Sequence, residues 1–130
     1  MTRVTVVNDD PEFLELMGEV LQTEGFEATT IDGDRADVLD HIRTSRPEVL
    51  IVDLRMEGNQ LHGWDVAQEM RRRPAFEALA VLLCSADLPA LHALEAQLQE
   101  QRAVAVLPKP FGIDQLTRAV RRLLAESSGG

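Results

Sequence analysis

Tyrosine is missing from this chain, and the other aromatics are sparse: Phe13, Phe26, Trp64, Phe76 and Phe111. That leaves little material for aromatic base-stacking platforms. Cysteine occurs once, as Cys84, which excludes an internal disulfide or a cysteine-based metal site and suits a reducing compartment. Positive charge is short as well. Against 22 acids stand 13 bases, a net charge of −9, and no basic stripe exists to meet phosphate backbones or an anionic membrane. Lysine is nearly absent, since 12 of the 13 bases are arginine and Lys109 is the exception. No apolar run approaches the roughly 20 residues of a membrane span. The N-terminus passes from Met1 directly into Arg3-Val4-Thr5-Val6-Val7 without a signal-peptide pattern. The expected location is the cytoplasm, with neither nucleic acid nor membrane as a direct partner.

What is present is ordinary globular material: 45% hydrophobic and 27% charged residues over 130 positions, enough for one domain. The acids are concentrated early. Residues 1–65 hold 15 acids and 5 bases, and residues 66–130 hold 7 and 8. Short β-branched runs predict strands at Val4–Val7, Glu27–Ile31, Val49–Val52, Val81–Leu83 and Val104–Leu107. The runs at 49–52 and 80–83 are continuously apolar, the mark of strands buried on both faces.

Between these runs the apolar spacing is helical. The first helix is expected to open at Asp10-Pro11, an acidic cap before a proline at the first helical position, and to stop at Gly25. A second is expected from near Asp34 until Pro47 forbids continuation. A third runs from about Trp64 to Arg73, with Pro74 as its stop. A fourth follows Pro89, and a fifth starts at Asp114. Arg71-Arg72-Arg73 fits a solvated helix end. The order is (βα)5, an α/β doubly wound five-stranded parallel sheet. The domain is expected over residues 1–126, with a flexible tail at 127–130.

Ligands of such sheets bind beyond the carboxyl ends of the strands. Those ends carry Asn8-Asp9-Asp10, Asp53, Cys84-Ser85-Ala86 and Lys109-Pro110-Phe111. Neighbouring carboxylates repel unless a cation joins them. A hard divalent ion such as Mg²⁺ takes one or two carboxylates, waters and a phosphoryl oxygen. A hydroxyl and a mobile ammonium could hold other phosphoryl oxygens. Asp53, at the end of an apolar strand, is the candidate nucleophile.

With these motifs in order, the chain resembles the receiver domain of two-component response regulators over residues 3–125. The resemblance rests on Val6-Val7-Asn8-Asp9-Asp10-Pro11, Val49-Leu50-Ile51-Val52-Asp53-Leu54-Arg55-Met56, Leu83-Cys84-Ser85-Ala86 and Lys109-Pro110-Phe111. It implies a flavodoxin-like strand order 2-1-3-4-5 and a phosphoryl group taken on Asp53. It implies Mg²⁺ held by Asp9, Asp53 and the Arg55 main-chain carbonyl, with Asn8 acting through water. It places Ser85 and Lys109 on the phosphoryl oxygens and makes the Lys109–Pro110 peptide cis. The implied partners are a sensor histidine kinase or phosphotransfer protein and a downstream protein target. The implied output surface is helix 4, strand 5 and helix 5, on a monomer or weak homodimer. Such a domain assists its own phosphorylation and dephosphorylation without being an enzyme in the turnover sense. No further domain follows the fifth helix, so the expectation is a stand-alone receiver or a fragment.

Three departures stand beside the resemblance. Asn8 replaces one of two metal-site acids. The loop after Asp53 has Glu57 for proline and is about two residues longer. Val106 occupies the position where many receivers carry an aromatic switch, so output is expected to lean on shifts near Ser85 and helix 4. Arg55 and Asp87 are expected to pair over the site and shield it from water. A degenerate receiver acting as a phosphorylation-independent interaction module is the alternative reading. A small phosphate-ester hydrolase lacks a second acid–base group, and a flavin carrier lacks a phosphate cradle.

Overall fold

The computed structural model describes residues 1–54 and 63–128. Five strands, β1 (Arg3–Asn8), β2 (Glu27–Asp32), β3 (Val49–Asp53), β4 (Ala80–Ser85) and β5 (Val104–Pro108), alternate with five helices. These are α1 (Pro11–Thr23), α2 (Val38–Ser45), α3 (Gly63–Arg71), α4 (Leu88–Leu98) and α5 (Ile113–Ser128). All strand pairings are parallel, in the order β2-β1-β3-β4-β5. Both the architecture and the strand order match the expectation.

Parallel strands need crossovers, and crossovers cover both faces of the sheet. Successive residues of β1 and β3 therefore feed two cores. Val4, Val6 and Ile51 pack with Met17 and Leu21 of α1 and Leu116, Val120 and Leu123 of α5. Val7, Leu50 and Val52 pack with Ile42 of α2, Met70 of α3 and Leu98 of α4. This division buries every apolar residue of β3 and β4, as their unbroken apolar runs require. A buried polar residue within β1 is satisfied: Thr5 shares a hydroxyl–hydroxyl hydrogen bond of 2.7 Å with Ser45 of α2.

The caps agree with the sequence at α1. Asp10 Oδ1 accepts the Glu12 and Phe13 N–H groups, and Gly25 takes a left-handed φ of +92° beyond the helix end. Several boundaries need correction. The second helix starts at Val38, not near Asp34, because Asp32 Oδ1 accepts the Asp34 N–H at 2.9 Å and holds residues 32–34 in a turn. The third ends at Arg71, followed by a 3-10 turn at Pro74–Phe76.

Arg71 is no solvated end. It is half-buried, and its guanidinium donates to the carbonyls of Leu79, Arg102 and Ala103, tying α3 to the starts of β4 and β5. Burial draws that guanidinium below its ordinary pKa. The expected tail also begins too early. Ser127 and Ser128 belong to α5, and Ser127 Oγ donates to the Ala78 carbonyl at 2.6 Å. Residues 129–130 lie outside the described residues. No helix among the described residues is long and apolar enough to cross a membrane.

Candidate functional site

The strand register brings the candidates together. Val7 of β1 pairs with Val52 of β3, so Asn8 and Asp53 end these two strands side by side. Asp53 in turn pairs with Cys84 of β4, and Ser85 with Pro108 of β5. The β1–β3 boundary is where the chain's winding reverses, the place such folds use for ligands.

Asp53 is the hub. Its side chain is 13% exposed, and Lys109 Nζ donates to its Oδ2 at 2.6 Å. Charge-assisted bonds of this length are the strong ones. Asn8 Nδ2 donates to the same oxygen at 3.2 Å. The orientation of the Asn8 amide is dictated by its other neighbour. The Asp10 N–H can only donate, so Asn8 Oδ1 faces it at 2.9 Å and the NH₂ group turns to Asp53. A carboxylate at position 8 would meet Asp53 with repulsion; the amide meets it with a donor.

Lys109 is held from three sides. Its backbone N–H donates to the Ser85 carbonyl at 2.9 Å. Its ammonium lies 4.2 Å from the centre of the Phe13 ring, and the Lys109–Pro110 peptide is cis, as the resemblance implied. Ser85 is buried, and its Oγ accepts the Asp87 N–H at 3.0 Å. Asp87 caps α4, with Oδ1 accepting the Ala90 N–H at 3.1 Å.

Arg55 lies outside the described residues, and with it the expected carbonyl ligand, the Arg55–Asp87 pair and the long loop. Val106 is half-buried on β5, opposite Leu83. Cys84 lies between the site and the core. Burial pushes its thiol up to about 12, a nearby Lys109 lowering it and Asp53 raising it less strongly. It is an inert packing residue.

Two residues gain roles the sequence did not suggest. Phe13, assigned to the apolar face of α1, also supplies a ring beneath Lys109. Gly63 starts α3 directly against β3. A Cβ at this position would stand 2.0 Å from the Asp53 carbonyl oxygen, and its N–H donates to the Leu54 carbonyl at 3.2 Å. A lone glycine gives no hint of such a contact, because the contact exists only once α3 folds back on β3.

The response regulator receiver domain model matches residues 4–121. The chain belongs to this family. Receiver domains are the phosphoacceptor signalling modules of two-component systems, and this receiver carries the family's fold over nearly its whole length. It is 30% identical over 120 residues to the DNA-binding transcriptional regulator NtrC of Klebsiella pneumoniae, covering 92% of this chain and 24% of that protein. It is 30% identical over 122 residues to the DNA-binding response regulator MtrA of Mycolicibacterium smegmatis, covering 94% and 50%. The receiver thus spans between a quarter and a half of these relatives.

Among solved structures, the chemotaxis protein CheY4 of Vibrio cholerae superposes with a TM-score of 0.80 at 22% identity, over 95% of this chain and 98% of that one. The response regulator TrrA of Thermotoga maritima, solved in complex with Mg²⁺–BeF, gives 0.77 at 27%, over 95% and 99%. Receiver domains are commonly Mg²⁺-dependent. Among the described residues no cluster of three His, Cys, Asp or Glu side chains forms. The carboxylates that the ends of β1 and β3 offer are that of Asp53 and, next in the chain to Asn8, that of half-buried Asp9. Two carboxylates meet the lower requirement of Mg²⁺.

Proposed function

We propose that this receiver is a phosphorylation-controlled switch in which Asp53 accepts a phosphoryl group from the phospho-histidine of a sensor kinase or phosphotransfer protein. The observation that carries the reading is the 2.6 Å pair between Lys109 and Asp53 at the carboxyl end of the sheet. Here the chain's only lysine is placed on a strand-end carboxylate that is 13% exposed. A carboxylate oriented by an ammonium is a placed nucleophile, and the same ammonium can follow charge onto an incoming phosphoryl oxygen.

Asp9 and Asp53 would hold Mg²⁺, joined by the Arg55 carbonyl. The ion, when bound, would neutralise phosphoryl charge during transfer. Asn8 orients the acceptor by its bond to Oδ2. Its expected water-mediated contact with the ion is limited to the second lone pair of Oδ1, since the first receives the Asp10 N–H.

In the transfer an Asp53 oxygen forms a new O–P bond while the donor's bond to phosphorus breaks and its electron pair leaves with the donor. Lys109 and the Ser85 hydroxyl would then follow the phosphoryl oxygens. Moving Ser85 Oγ withdraws the acceptor of the Asp87 N–H, at the cap of α4. That gives phosphorylation a direct route to the α4–β5–α5 surface with Val106 in place of an aromatic. The water-shielding role expected of Asp87 competes with its capping bond. The downstream target is a protein that reads this surface, without direct nucleic-acid or membrane contact by the domain. The cytoplasm is the compartment this reading requires.

The experiment is incubation with acetyl phosphate and Mg²⁺ followed by intact mass measurement. An adduct of about 80 Da that disappears in Asp53→Asn is the expected result. No adduct at saturating donor refutes the switch and favours a phosphorylation-independent interaction module. The amide at position 8, which leaves the metal site one acid short, is the observation on that second reading's side.

A further inference from the structure

Lys109 must satisfy two requirements that pull against each other. It must sit on Asp53 before transfer, and it must be able to leave Oδ2 for a phosphoryl oxygen afterwards. A second carboxylate beside it would fix the ammonium too firmly, and an aliphatic wall would leave it badly solvated. The side chain of Lys109 is only 23% exposed, so water supplies little of its hydration. Besides Asp53, the ammonium meets the face of Phe13, 4.2 Å from the nitrogen to the ring centre. An aromatic face attracts a cation through its quadrupole, more strongly where water is scarce, without adding a formal charge.

We propose that Phe13 is a positioning residue for phosphoryl transfer, its ring face holding the Lys109 ammonium in line with Asp53 while letting it shift. The ring is itself well fixed. Its backbone N–H bonds to the Asp10 cap at 3.4 Å in the first turn of α1. It forms a T-shaped pair with Phe111, with centres 6.4 Å apart and planes at 89°. Phe111 follows Lys109 by two residues, so the loop carrying the ammonium is anchored on the same ring that receives it. The catalytic part of this inference rests on Asp53 being the acceptor; the placement of the ammonium does not.

The only lysine in the chain makes the test unusually clean. Labelling with ¹³C,¹⁵N-lysine gives one ε-CH₂ signal, that of Lys109. In the wild type it should lie upfield of ordinary lysine through the ring current, and in Phe13→Leu that displacement should vanish. In parallel, the rate of phosphorylation by acetyl phosphate at saturating Mg²⁺ should fall roughly three- to thirtyfold in Phe13→Leu, the range expected for a cation–π contact. Phe13→Trp should keep most of the rate. Fluorinated phenylalanine at position 13 preserves shape while weakening the ring's negative face, and the rate should decline with each added fluorine. It serves if Phe13→Leu does not fold.

An ε-CH₂ signal at the ordinary position in the wild type overturns the proposal. So does a rate that is insensitive to fluorination while the wild type is phosphorylated. If the wild type takes no phosphoryl group but the Lys109 signal moves as expected, the acceptor reading fails and the placement of Lys109 on Phe13 stands.

Discussion

Gly63→Ala is the substitution that most directly tests how β3 and its terminal Asp53 are held. The added methyl would lie 2.0 Å from the Asp53 carbonyl oxygen, 2.8 Å from its carbonyl carbon and 3.1 Å from Val52 Cγ2. The first two are backbone atoms at the end of the central strand, so no flexible side chain can yield. Either α3 lifts off β3 or β3 bends away from β4. Over-packing of this kind costs about 1–3 kcal/mol. Loss of the Gly63 N–H bond to Leu54 adds about 1 kcal/mol. The expected destabilisation is therefore about 2–4 kcal/mol, or roughly 8–15 °C in Tm for a domain of this size.

Gly18→Ala is the control of opposite sign. In the interior of α1 its methyl would meet only Thr30 Cγ2, at an ordinary 3.5 Å, and alanine there should gain about 0.5–1 kcal/mol. Urea and thermal unfolding, followed by Trp64 fluorescence and circular dichroism, measure both. A Gly63→Ala variant as stable as the wild type would refute the claim that α3 abuts the main chain of Asp53. Loss of acetyl-phosphate reactivity at a temperature where the variant is still folded would show that the contact also sets the acceptor's geometry.

Two further predictions concern charge. Asn8→Asp exchanges a donor to Asp53 for a like charge, so the metal-free protein should lose about 1–3 kcal/mol and Mg²⁺ should restore it. Melting in EDTA and in millimolar Mg²⁺ checks this, and equal Tm values for wild type and variant in EDTA would contradict the Asn8–Asp53 bond. The thiol of Cys84 ionises near 9.0 when unfolded and at about 12 in the fold. The unfolded chain therefore sheds this proton first. The stability this group supports is complete below pH 9 and is lost between pH 9 and about 12, at up to about 1.4 kcal/mol per pH unit. Cys84→Ala, compared with the wild type by urea unfolding from pH 8 to 11, should flatten that part of the stability–pH curve.

The sequence by itself determined the layers, the strand order expected of the family, and the residues gathered at the strand ends. Continuous apolar runs at 49–52 and 80–83 are the pattern of strands buried on both faces, and Asp10-Pro11 before a helical stripe is a helix start. The carboxyl-end rule then named Asp53, Ser85 and Lys109 without coordinates. What sequence left undecided was direction and contact. It could not say that the Asn8 amide turns its NH₂ toward Asp53, because that follows from where the Asp10 N–H points. It could not separate Arg71 from its two arginine neighbours, because the carbonyls of Arg102 and Ala103 lie some thirty positions away in the chain. It did not show that Asp87 caps α4, because that bond needs the Ala90 N–H to be turned toward it by the folded helix. It read Phe13 only as core, since a residue on the boundary of an apolar stripe shows nothing of the ammonium that crosses its face. Local patterns fix which surfaces must be buried, through hydrophobicity and backbone preference. Which polar groups then meet is decided by long-range packing, and at this site that packing sets the partners of Asp53.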